Sequence, residues 1–115
     1  MIGTRSVSLA ARVRGHLALL HPFPVIMTVL AAVVFAVIAA HGSPPPGALG
    51  FLTASVLLTQ IAIATLNDYC DQALDAATKP EKPLPAGLVS PGLALIVAAI
   101  TAPVGLLCAV PLGPI

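Results

Sequence analysis

The sequence predicts an all-α integral membrane protein with three transmembrane helices. Three observations carry this. Hydrophobic residues make up 58% of the 115-residue chain and charged residues only 8%, against about 25% charged in an average soluble domain. No Asp, Glu, Lys or Arg occurs in 15–67 or in 83–115. Three apolar runs, at 23–40, 47–66 and 92–110, approach or reach the ~20 residues needed to cross a bilayer core. A soluble domain of this length could not hide so much apolar surface. The net charge of +1 gives no strong attraction to nucleic acid.

The first helix is expected over about 20–40. Arg5, Arg12 and Arg14 precede it, among Val7, Leu9 and Val13. That leading segment reads either as a short interfacial helix or as a mobile tail. A cleaved signal peptide ending near Ala39-Ala40 is the rival reading of the first span. The segment from His41 to Gly47 holds three consecutive prolines and two glycines, which cannot continue a helix. The second helix is expected over 47–75, including an extension past the apolar run. The third is expected over 91–110, kinked at Pro103, which neighbouring helices in a membrane can tolerate.

Charge then sets sidedness. The arginines lie before the first span, and Lys79 and Lys82 lie between the second and third. Three crossings put both groups on one side, and the positive-inside rule makes it cytoplasmic. Cys70 and Cys108 are the only cysteines. They read as ordinary small residues rather than a disulfide.

All four acidic residues, Asp68, Asp71, Asp75 and Glu81, follow the second apolar run. Charge near a bilayer is costly, so its concentration marks a functional site by default. On a continuous helix, Asp68, Asp71 and Asp75 fall at i, i+3 and i+7 on one face, with Asn67 one turn before Asp71. Asp68 and Asp75 would be roughly 10 Å apart along the axis. One ion cannot reach both, so the row would hold more than one ion or an ion with a bridging ligand. Oxygen-only donors suit Mg²⁺, Ca²⁺ or Mn²⁺ rather than Zn²⁺. Mg²⁺ usually takes one or two carboxylates and completes its shell with water and substrate phosphates. The loop that follows carries Lys79 and Lys82, point charges suited to phosphate, and three prolines expected to hold it partly extended. The plainer alternative is a helix end with solvated charges, in a small non-enzymatic membrane protein that assists assembly or binds divalent cations.

The order Asn67-Asp68-x-x-Asp71-x-x-x-Asp75, then Lys79-Pro80-x-Lys82-Pro83-Leu84-Pro85-x-Gly87-x-x-Ser90, resembles the UbiA superfamily of intramembrane prenyltransferases. His21-Pro22-Phe23-Pro24 is similar to the family's entry into its first span. The resemblance covers about residues 17–110. It implies Mg²⁺-dependent transfer of a prenyl group from a polyprenyl diphosphate to an aromatic or other lipophilic acceptor. Asp68, Asp71 and Asp75 would be catalytic, and with Asn67 would hold Mg²⁺. Asn67, Lys79 and Lys82 would bind the diphosphate. Lys82 stands where many relatives carry Arg, which replaces a bidentate fork with a point charge. The implied fold is the first third of a nine-helix bundle, so residues 1–115 read as the N-terminal part of a UbiA-type domain. The family's second Asp-rich motif has no counterpart here. The expectation is therefore half a site, inactive alone, with further C-terminal helices or a second subunit as partner. Membrane lipid is the other partner, and the acceptor and prenyl length stay open.

Other polar residues carry weaker expectations. His16, His21 and His41 are scattered, and no metal role is expected for them. Tyr69 reads as an interface tyrosine. Gln60 and Thr65 either face a substrate cavity or bond between helices.

Overall fold

The computed structural model describes residues 6–114, whose regular elements are all helical, with no strand among them. Arg5 of the charge argument lies outside the described residues. The helices are α1 (Leu9–Leu19), α2 (Pro22–Ala39), α3 (Pro46–Cys70), α4 (Gln72–Thr78) and α5 (Pro91–Ala109), with a closing 3₁₀ turn at Val110–Leu112.

From Leu9 onward the leading segment is a helix. Ser8 caps α1 by accepting a hydrogen bond from the Ala11 amide at 3.2 Å. The first apolar run is long enough to continue it, but Pro22 intervenes. The residue before a proline avoids the α region, and His21 takes a left-handed conformation with φ 49° and ψ 58°. α2 starts afresh with Pro22 at its first position, where a missing N–H is harmless. It ends in a Schellman motif: Gly42 N–H donates to Val37 O, and His41, itself left-handed at φ 52°, donates to Ile38 O. Pro46 opens α3 after the proline run.

α3 is the long axis of the molecule, ~37 Å at 1.5 Å per residue. It packs against both α2 and α5, most extensively against α5. That pair approaches closely at Gly105. A Cβ there would lie 2.8 Å from Thr59 Oγ1 and 3.1 Å from the Thr59 backbone nitrogen. Ala62 on α3 and Ala94 and Ala98 on α5 are also buried, as expected where small residues let membrane helices meet. α5 is capped by Ser90, with Pro91 at its start, and its helix continues past Pro103. The outward faces stay apolar, with Phe35, Ile38, Ile100 and Leu107 more than half exposed. Three helical segments, Leu9–Ala39, Pro46–Cys70 and Pro91–Leu112, are long and apolar enough to cross a membrane.

The second helix does not run unbroken to residue 75 as expected. α3 stops at Cys70, Asp71 sits at φ −89° and ψ 9°, and α4 begins at Gln72. Part of the reason is local. The Gln72 side chain donates to Tyr69 O at 2.8 Å, offering that carbonyl a partner other than the helix ladder. The following loop also differs from expectation: it is folded back rather than extended. Ala86 N–H donates to Lys82 O, Gly87 N–H to Leu84 O and Leu88 N–H to Pro83 O, with Gly87 at φ +71°. A fixed proline φ near −65° suits the first positions of such turns. The fold-back buries Leu84 and Val89 against Leu19 and Ala94, with Tyr69 and Leu93 alongside. Gly15 meets Leu88, whose Cβ would lie only 2.7 Å from a Cβ on the glycine. The α1–α2 junction, the end of α3, α4 and the loop thus gather at one end of a body 66 × 25 × 21 Å.

Candidate functional site

That end contains the acidic residues, and the break at Asp71 divides them. Asn67, Asp68 and Asp71 stay on or beside the last turn of α3 and line a cavity of about 330 Å³ with His21, Gln60 and Lys82. Its remaining walls are apolar: Pro24 and Val25 of α2, Ile63 and Ala64 of α3. Asp75 is carried by α4 and does not line this cavity. Lys79 is exposed at the C-cap of α4 and lies outside the lining as well.

Lys82 reconnects the divided row. Its Nζ donates to Asp68 Oδ1 at 2.7 Å and to Asp75 Oδ2 at 2.6 Å. Both carboxylates are only 4% exposed, and buried charge requires such partners. Burial disfavours the Lys82 ammonium, but the hydrogen bonds to Asp68 and Asp75 and their negative charge outweigh it. The lysine pKa is raised above its ordinary value. Asp68 is held from the other side too. His21 Nε2 lies 2.8 Å from Asp68 Oδ2. An ionised carboxylate only accepts, so Nε2 carries the proton and donates.

Chemically, the cavity pairs a polar mouth with a greasy wall. Two carboxylates and an amide oxygen within one helical turn match the donor set that Mg²⁺ takes before adding water and phosphate. Among the described residues no three His, Cys, Asp or Glu side chains converge on one point. The row therefore does not form a closed all-protein cage. The shared Lys82 nonetheless brings Asp68 and Asp75 closer together than the roughly 10 Å expected on a continuous helix.

The site also includes a residue that sequence reasoning passed over. His21 was set aside with the other histidines, yet it bonds across 47 positions to Asp68. The available signal was a polar side chain wedged before Pro22-Phe23-Pro24. Only tertiary packing brings that wedge to the end of α3. Gln60 faces the cavity, one of the two uses expected for it. Thr65 is fully buried and bonds within its own helix, to Ile61 O and Ala62 O, rather than to a neighbouring one.

The model of the UbiA prenyltransferase family matches residues 25–115. The chain is 41% identical over 83 residues to a digeranylgeranylglyceryl phosphate synthase of Methanoregula boonei, covering 72% of the chain and 29% of that protein. It is 38% identical over 77 residues to a 4-hydroxybenzoate octaprenyltransferase of Ralstonia nicotianae, covering 65% and 26%. A second digeranylgeranylglyceryl phosphate synthase, from Natronomonas pharaonis, is 35% identical over 89 residues, covering 74% and 30%. The chain thus spans less than a third of the length of these relatives. No solved structure matches it at a significant level.

Proposed function

The chain belongs to the UbiA prenyltransferase family, and on that footing we propose that it serves Mg²⁺-dependent transfer of a prenyl group. The donor is a polyprenyl diphosphate and the acceptor an aromatic or other lipophilic molecule. One observation carries the reading. A single cavity joins Asn67, Asp68, Asp71 and Lys82 to an apolar wall of Pro24, Val25, Ile63 and Ala64. A prenyl diphosphate has that same division, a charged head on a hydrocarbon tail.

Asn67, Asp68 and Asp71 would hold the metal, with Asp75 the remaining carboxylate for a second ion. Bound Mg²⁺ would supply positive charge to the diphosphate as the allylic C–O bond breaks. Lys82 is the protein cation at the mouth. Turning its Nζ from Asp68 toward a phosphate oxygen would exchange one charge-assisted hydrogen bond for another. Lys79 adds a second positive charge three residues earlier. The apolar wall would orient the tail and keep water from the reacting carbon. Arg12, Arg14, Lys79 and Lys82 support a cytoplasmic location for this end of the protein in the cell membrane.

The test is Asp71→Ala in the intact, membrane-embedded enzyme that carries this segment, followed by release of inorganic diphosphate from a prenyl diphosphate. Mg²⁺-dependent release should be abolished. Unchanged release would sink the site assignment.

A further inference from the structure

We propose that His21 is a positioning residue of this site: it fixes the Asp68 carboxylate so that Oδ1 is the oxygen offered to a cation. The inference rests on the Mg²⁺ reading above and adds a residue to it from outside the acidic motif.

Both oxygens of Asp68 have partners, but the partners differ in kind. Lys82 Nζ holds Oδ1 at 2.7 Å and His21 Nε2 holds Oδ2 at 2.8 Å. Lysine reaches through a flexible four-carbon stem whose three donors can turn to a new acceptor. The imidazole has two side-chain torsions and a short reach. Its backbone is also pinned from both sides. His21 N–H donates to Ala18 O at the end of α1, and His21 O accepts from Val25 N–H in the first turn of α2, each at 3.1 Å. The residue sits at φ 49°, a conformation that is rare and costly for a residue with a side chain. Here it aims the ring at a carboxylate that is 4% exposed. Lys82 is thus the partner that can leave Asp68, and His21 the one that stays. A carboxylate that binds metal is usually itself hydrogen-bonded, and losing that outer partner typically costs about 10–100-fold in metal affinity.

The test is Mn²⁺ titration of the 115-residue chain in detergent micelles, with free Mn²⁺ read by electron paramagnetic resonance. The variants are His21→Gly, His21→Asn and His21→Gln. Gly and Asn suit the left-handed backbone, but neither places a donor where Nε2 stood. Gln suits the backbone less well yet carries an amide donor near that position. A positioning role predicts Mn²⁺ binding about 10–100-fold weaker in the Gly and Asn variants, with recovery in Gln. A purely structural role predicts the reverse ranking, since Gly and Asn fold more readily there. That reverse ranking would overturn the proposal, as would wild-type affinity in all three variants. Asp68→Asn separates the two readings. Mn²⁺ binding that Asp68→Asn removes and His21→Gly leaves intact overturns the role of His21 alone. No binding by the wild-type chain overturns the metal reading as well.

Discussion

Replacing Lys82 with Met tests the link between the two halves of the acidic row. Among the described residues, Lys82 is the cation that bridges Asp68 and Asp75, at 2.7 and 2.6 Å, and its own side chain is 22% exposed. Methionine keeps much of the stem's bulk and removes both ion pairs. Two carboxylates, each 4% exposed, would lose a shared counter-charge. Removing one partner of a buried pair costs about 3–5 kcal/mol. The residual exposure of Lys82 argues for the lower end, about 3 kcal/mol. Unfolding in mixed detergent micelles, followed by far-UV circular dichroism, measures this directly. Lys82→Arg keeps the charge and should stay within about 1 kcal/mol of wild type, since guanidinium also pairs well with carboxylates. A Lys82→Met variant as stable as wild type would refute the view that this lysine holds α3, α4 and the loop together.

The same pair predicts a pH dependence. The folded pKa of Lys82 lies above its ordinary value because Asp68 and Asp75 outweigh its burial. Its contribution is therefore fully present below the ordinary lysine pKa of about 10.4 and is lost as pH rises through the folded value. The Lys82 contribution to wild-type stability should hold up to about pH 10.4 and decline above it, and that alkaline loss should shrink in Lys82→Met. At the α3–α5 contact, Gly105→Ala drives a methyl group against Thr59 backbone. Overpacking should cost about 1–3 kcal/mol in the unfolding assay, while Gly50→Ala, which meets open space, should not destabilise. Asp71→Asn should leave stability within about 0.5 kcal/mol, because Asp71 is exposed. A large loss there would give Asp71 a structural role instead.

The membrane helices were legible because apolar length and the absence of charge report on the bilayer directly. Pro22, Pro46 and Pro91 each open a helix, and Gly42 closes one, so the ends were nearly readable too. The shared end for basic residues and acidic motif also followed from counting crossings. Asp68, Asp71, Asn67 and Lys82 were legible as a group from spacing and charge. Three features were hidden for physical reasons. The break at Asp71 depends on competition between a Gln72 side chain and the helix ladder, a small local difference. The fold-back of the Lys-Pro loop depends on Leu84 and Val89 finding Leu19 and Ala94, contacts made across the whole chain. His21 reaches Asp68 only after α2 packs on α3. Asp75 followed from these. It stands in the motif by spacing, but the break turns it to Lys82 rather than to the cavity.

The central claim is that this end of the protein holds a prenyl diphosphate through a metal. Isothermal titration of the chain, in lipid nanodiscs, with geranylgeranyl diphosphate addresses it most directly. Binding is expected with Mg²⁺ present, with loss of that binding on adding a chelator and the same loss in Asp68→Asn and Asp71→Asn. Binding that is indifferent to Mg²⁺, or that survives both substitutions, would contradict it.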